Sequence, residues 1–169
     1  LVDLRHNTFS VNGRHHMNIF SSCINGSLEI PHFFIQEITS RKLNVAKLAQ
    51  EFNTIPEFES DKQEANAREI LGSAGKNLVI HSDWKFDNGK NIHVGDNFLA
   101  NYNWTVLDVG KVTIGDNVWI GPNTNIYTVN HPVTAMGRRD HLAKVLPVTI
   151  GNDVWLWQGY RLSWRHDRQ

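Results

Sequence analysis

The sequence predicts a mainly β fold, a parallel β-helix preceded by a helical segment, and two patterns predict it. In VTIGDNVWIGPNTNIYTVNHP, from Val112 to Pro132, the residues Ile114, Ile120 and Ile126 stand six apart with Gly, Asn and Asp between them. A strand alternates with period two and a helix with period 3.6, so an aliphatic residue every six requires a coil that turns a corner once per repeat. Gly, Asn and Asp tolerate the left-handed backbone conformation that such corners need. The second pattern is longer: Val94-Gly95-Asp96-Asn97 recurs 20 residues on as Ile114-Gly115-Asp116-Asn117, and a related Ile150-Gly151-Asn152-Asp153 follows. Internal repeats of this kind mark a solenoid.

Residues 1–33 stay unassigned. The first methionine is Met17, so residues 1–16 are open to several origins, and MNIFSSCINGSLEIPHF has no sustained period and contains the breakers Gly26 and Pro31. Residues 34–75 read as helical. Ile35, Ile38, Val45, Leu48, Ala49 and Phe52 fall mostly on one helical face from Phe34 to Phe52, with Pro56 beyond. Ser60-Asp61-Lys62-Gln63 has the form of a capping box and opens a second helix that ends at Gly72.

The β-helix is expected over 76–156. Its inward positions are Ile80, Phe86, Val94, Ala100, Val106, Ile114, Ile120 and Ile126, spaced by six or eight. All eight are apolar against a 40% hydrophobic background, too many for chance. Between 129 and 148 the period lapses into a polar stretch with His131, Pro132, Gly137, Arg138, Arg139, Asp140 and His141. A solenoid that drops its period for about one coil and resumes at Ile150 extrudes a loop there, and loops on rigid scaffolds carry function.

Composition narrows the function. Seventeen basic residues balance seventeen acidic ones, with no run of like charge, which argues against nucleic acid as a partner. No apolar run reaches the roughly 18 residues needed to span a bilayer, so neither a membrane span nor a signal peptide is expected. The single cysteine, Cys23, excludes an internal disulfide framework and fits a reducing, cytoplasmic compartment.

The run from Asn91 to Trp155, with NIHVGDNFLANYNWTVLD, VTIGDNVWIGPN, YTVNHPV and PVTIGNDVW, resembles the maltose and galactoside O-acetyltransferases of the hexapeptide-repeat superfamily. The resemblance continues upstream through RKLNVAKLAQEFN, covering residues 38 to 156. It implies a left-handed β-helix, an exception to the right-handed crossover rule. It also implies a homotrimer and transfer of acetyl from acetyl-CoA to a sugar hydroxyl, of maltose, glucose or a galactoside.

By the same resemblance His131, in the NHP segment, matches the family's catalytic histidine, and neutral imidazole is a suitable base for a hydroxyl attacking a thioester. Asn101 matches an asparagine that contacts both substrates and donates toward developing oxyanion charge. Asp108 lies where the family places acidic sugar-binding side chains, with Val109 in place of a second acid, and Asp87 matches a position lining the acceptor pocket. Trp155 matches a tryptophan near the acetyl-donor site, with two readings open: stacked in a pocket, or packed on the coil exterior. Asn103 reads as a corner residue, and Trp104 and Trp119 read as packing residues. Histidines 15, 16, 81, 93, 141 and 166 show no ligand spacing, so no metal is expected.

Two departures qualify the resemblance. Phe33 stands where relatives supply an acceptor-site aspartate. After Trp155 the hexapeptides give way to LWQGYRLSWRHDRQ, read as an aberrant tail over 157–169 with no apolar face and no packing from about Leu156 onward. One synonymous coding of WLWQGYRLSWRHDRQ, read one base later, gives GFGKVTVFPGVTIG, so a frameshift is the expected origin, and this shortened form is expected to be inactive. The alternative functional reading is a non-catalytic β-helix with an oligomeric or structural role. A zinc hydro-lyase on a similar helix would need three converging histidines, and no pair accompanies His131.

Overall fold

The computed structural model describes the backbone of residues 2–3, 8–11, 15–18, 32–140 and 143–163, and side chains from residue 43 onward. The chain divides into two compact units, 1–40 and 41–169. In the first, β1 (Val2–Asp3), β2 (Thr8–Val11) and β3 (His15–Asn18) form an antiparallel sheet. The side chain of Phe33 and residues 19–31 lie outside the described residues.

The second unit is a left-handed parallel β-helix with three sheets as its faces. The first stacks β4 (Ser73–Ala74), β7 (Ile92–Val94), β10 (Val112–Ile114) and β15 (Val148–Ile150). The second stacks β5 (Val79–Ile80), β8 (Leu99–Ala100), β11 (Trp119–Ile120) and β16 (Trp155–Leu156). The third stacks β6 (Lys85–Phe86), β9 (Thr105–Leu107), β12 (Asn125–Tyr127) and β17 (Arg161–Ser163). All pairings are parallel and in register, so Ile92, Val112 and Val148 stack, as do Val79, Leu99, Trp119 and Trp155. All eight inward positions read from the spacing are buried.

The corners explain the spacing. Asn77, Asn97, Asn117 and Asp153 stack at one corner, and Asp83, Asn103 and Asn123 at another, all with φ between 54° and 63°. Each turns the next side chain inward, so Leu78, Trp84, Phe98, Trp104 and Val118 join the core. Phe52 meets Trp84 edge-on at 5.3 Å, and Trp84 stacks on Trp104 at 5.6 Å, forming an aromatic column along the axis.

Phe52 belongs to α1 (His32–Asn53), whose Val45, Leu48, Ala49 and Phe52 pack against the core together with α2 (Ser60–Ile70). The capping box does not form. Ser60 lies inside α2, whose N-cap is Glu59 without a side-chain cap bond. Gln63 is buried instead, its Nε2 donating to the Ile55 carbonyl at 3.3 Å, so burial of the amide displaced the local cap.

The aberrant tail also needs correction. The solenoid runs to Ser163, because Leu156 and Leu162 continue the six-residue spacing from Ile150, pair with Ile120 and Ile126, and pack against the core. Gly159, at φ 70°, takes the corner place occupied by Asn123 one coil below. Residues 164–169 lie outside the described set.

Candidate active site

The coil offset is 20 residues from Asp96 to Asp116 but 36 from Asp116 to Asn152, which measures the inserted loop. β13 (Val129–Asn130) leaves the solenoid after β12 and pairs antiparallel with β14 (Lys144–Val145), with the short helix α3 (Ala135–Arg139) between them. The two strands pair with each other as a hairpin whose β14 side lies against Gly110 and Thr128, and His131, just beyond β13, is exposed.

The turn carrying His131 is braced from across the loop. Its N–H donates to Asn130 Oδ1 at 2.9 Å. Arg138 Nη1 donates to the Pro132 carbonyl at 3.1 Å and also to that of Val133. Thr134 Oγ1 caps α3 by accepting the Gly137 N–H at 3.3 Å. A Cβ on Gly137 would come within 2.8 Å of Pro132 Cβ, so glycine permits this close approach.

Asn101 occupies a solenoid corner after β8. Its N–H donates to the Ile120 carbonyl at 2.9 Å, and its Oδ1 accepts the Tyr102 N–H at 2.8 Å. That commits the carbonyl end of the amide and leaves Nδ2 as the donor. Asn101 lines an open groove of about 400 Å³ with Leu99, Trp119, Pro122, Trp155 and Trp157. His131 is not among its lining residues. One chain therefore sets Asn101 on the second face of the prism and His131 beyond the third.

Trp155 lies on the exterior, 64% exposed and stacked on Trp157 at 4.7 Å. Trp104 is buried as read, but Trp119 is not a packing residue. It precedes the inward Ile120 on β11, so strand alternation points it outward, 57% exposed, beside Trp155.

The two aspartates separate. Asp87 is exposed and lines a cleft between α1 and β6 with Val45, Ala49, Gln50 and Asn53. Asp108 is fully buried, which corrects its reading as a sugar-binding side chain. Its Oδ1 accepts the N–H groups of Asp87 at 3.0 Å and Asn88 at 2.9 Å, clasping the corner below, while Oδ2 has no hydrogen-bond partner among the described residues. Burial pushes its carboxyl above the ordinary range, against the backbone N–H groups that pull it down. The outward position of the pair is Val109, 42% exposed, so an acid in this Asp-Val pair cannot reach a ligand.

Comparison with known proteins settles the family. The chain is 39% identical over 143 residues to a putative acetyltransferase, YJL218W, of Saccharomyces cerevisiae, covering 85% of this chain and 72% of that protein. A maltose O-acetyltransferase from Clostridium difficile 630 superposes with a TM-score of 0.71 at 40% identity, covering 73% of this chain and 66% of that one. A galactoside acetyltransferase solved in complex with coenzyme A superposes at 0.70 with 31% identity, covering 86% and 74%. The chain belongs to the hexapeptide-repeat acetyltransferases of the maltose/galactoside type. No family model matches it. It spans less than two thirds of the length of several of the curated relatives it matches.

In this acetyltransferase one polar cluster was invisible to sequence reading. Glu57 Oε2 lies 2.8 Å from His81 Nδ1, and Oε1 accepts both the N–H of Ser82, at 3.0 Å, and its hydroxyl. The His81 ring stacks on Tyr102 with centroids 4.6 Å apart. Burial alone would raise the Glu57 pKa, but the Ser82 hydroxyl, the His81 ring and the Ser82 N–H together hold it at about 2. His81 has no ligand spacing in the sequence. Its partner is 24 residues away, a separation no local pattern carries. Among the described residues no group of three or more His, Cys, Asp or Glu could hold a metal ion, and no helix is long and apolar enough to cross a membrane.

Proposed function

We propose that this protein transfers acetyl from acetyl-CoA to a hydroxyl of maltose, glucose or a galactoside, in the cytoplasm. The observation that carries the reading is the braced excursion from the β-helix that presents His131 to solvent, in a chain of this family. His131 takes the proton of the sugar hydroxyl as its oxygen attacks the thioester carbonyl. The tetrahedral oxyanion accepts a hydrogen bond from Asn101 Nδ2, and its collapse expels the thiolate of coenzyme A, which regains the proton from the imidazolium. Acetyl-CoA lies along the groove beside Trp119 and Trp155, and Asp87 contributes to the acceptor side.

Asn101 and His131 stand on different faces of one prism, so the complete site forms where the His131 loop of one copy meets the groove of the next. A homotrimer closes such head-to-side contacts in a ring. The test is thiol release from acetyl-CoA in the presence of each sugar, with acetylated product identified by mass. Transfer that needs the sugar and falls on His131→Ala supports the reading. Wild-type activity from His131→Ala, or no transfer to any of the three sugars, sinks it.

A further inference from the structure

We propose that His81, set by Glu57, is an acceptor-contacting residue that determines which sugar is bound. The inference rests on the acetyltransferase reading and extends it to a residue outside the His131 and Asn101 machinery. Backbone pairing places His81 one coil below Asn101, since the His81 N–H donates to the Ala100 carbonyl just as that of Asn101 donates to Ile120. Strands in a sheet lie about 4.8 Å apart, so the imidazole begins one strand spacing from the amide proposed to hold the oxyanion.

The direction along the axis decides which substrate meets it. The groove at Asn101 extends through Gly121, Pro122, Trp155 and Trp157, on its own coil and the coils above, and none of its lining comes from the coil of His81. A long acyl donor occupies the groove, so its acetyl end lies at Asn101 and the acceptor approaches from the other side, over His81 and Tyr102. Their chemistry suits a sugar. Tyr102 is 46% exposed and offers an aromatic face to a pyranose C–H surface. The His81 side chain is 29% exposed.

Glu57 determines what His81 can do. With Nδ1–H donating to the carboxylate, the neutral ring carries its lone pair on Nε2, an acceptor for a sugar hydroxyl. Nε2 has no hydrogen-bond partner among the described residues. Ser82 grips the other carboxylate oxygen, so Glu57 cannot rotate away.

The test uses the full chain with Glu57→Gln and His81→Ala. The amide of Glu57→Gln still accepts from Ser82 but donates to Nδ1, which reverses the tautomer and makes Nε2 a donor. Imidazole ¹⁵N shifts report the tautomer directly. The expected result is an acceptor KM raised about tenfold in both variants, the size of one neutral hydrogen bond, with the acetyl-CoA KM within about twofold of wild type. A merely structural role would not single out the acceptor. Acceptor KM unchanged in both folded variants, or a shift in the acetyl-CoA KM instead, overturns the inference. Maltose titration followed at the His81 ring resonances separates it from the activity. Perturbation of His81 by maltose without any acetyl transfer would refute the proposed reaction and retain the contact. Transfer without such perturbation by the sugar being acetylated would do the reverse.

Discussion

Asn117 Nδ2 donates to Asp153 Oδ1 at 2.9 Å, although 36 residues separate them. The same ladder joins Asn77 to Asn97 and Asn97 to Asn117, each at 2.7 Å and 20 residues apart. The loop bearing His131 is thus inserted without disturbing the corner stack, which resumes in register on its far side. Rigid corners are what allow this coil to lose its period for one turn and keep its shape.

This ladder predicts two separable costs at Asn117. Asn117→Ala removes hydrogen bonds to Asn97 and Asp153 and puts alanine at φ 56°, where left-handed backbone costs about 1–2 kcal/mol. Asn117→Gly removes the same bonds but tolerates the backbone. Urea unfolding is expected to show Asn117→Ala as the less stable of the two by about 1 kcal/mol or more. Equal stabilities would mean that the corner conformation contributes nothing.

The contrast between corner and site shows what sequence could reveal. Inward residues and corners repeat every coil, so Ile114, Ile120 and Asn117 announce themselves by spacing. Positions that follow a corner, such as Trp84 and Phe98, carry no such signal, because their inward turn depends on the backbone of the residue before. Asp108 was misread because adjacent strand-end positions face opposite ways, and a motif match does not say which faces out. Glu57 and His81 meet only through the packing of the segment after α1. Leu162 continues the six-residue spacing of Ile150 and Leu156, but its polar neighbours Tyr160 and Arg161 mask the period.

Asp108 yields a pH prediction. Its carboxyl titrates above the ordinary 3.8 when folded, so the native state binds the proton more tightly than the unfolded one. The penalty of burying its charge is therefore present above the folded pKa and vanishes as pH falls below 3.8. Asp108→Asn keeps an oxygen for the Asp87 and Asn88 N–H groups and carries no charge. Its stability advantage over wild type is expected to shrink between neutral pH and pH 3.8, measured by denaturation at a series of pH values. An advantage independent of pH would mean that the carboxyl titrates in the folded state as it does in the unfolded one, and would remove the burial penalty.

Leu162 tests whether the last described coil is structural. Its side chain packs on the core and pairs above Ile126, whereas Tyr160 faces solvent at 48% exposure. Leu162→Asp is expected to lower stability by about 1–3 kcal/mol, because it drives a carboxylate against the apolar core. Tyr160→Asp should lie within about 0.5 kcal/mol of wild type. If both substitutions are silent, the coil beyond Leu156 adds nothing to the fold.

Arg138 offers the sharpest test of how His131 is held. The guanidinium donates to the carbonyls of Pro132 and Val133, the two residues that follow the histidine, without itself belonging to the groove or to the Asn101 corner. Removing it frees the turn while leaving the solenoid untouched, so Arg138→Ala should retain wild-type stability and lower kcat by about tenfold through misplacement of the base. His131→Ala should cost on the order of 10² to 10⁴ in kcat. If Arg138 acts only through His131, adding Arg138→Ala to His131→Ala should cause no further loss, the non-additivity expected of two residues serving one step. Full additivity in the double variant would assign Arg138 an effect of its own, on binding or on loop packing, and would detach it from the base.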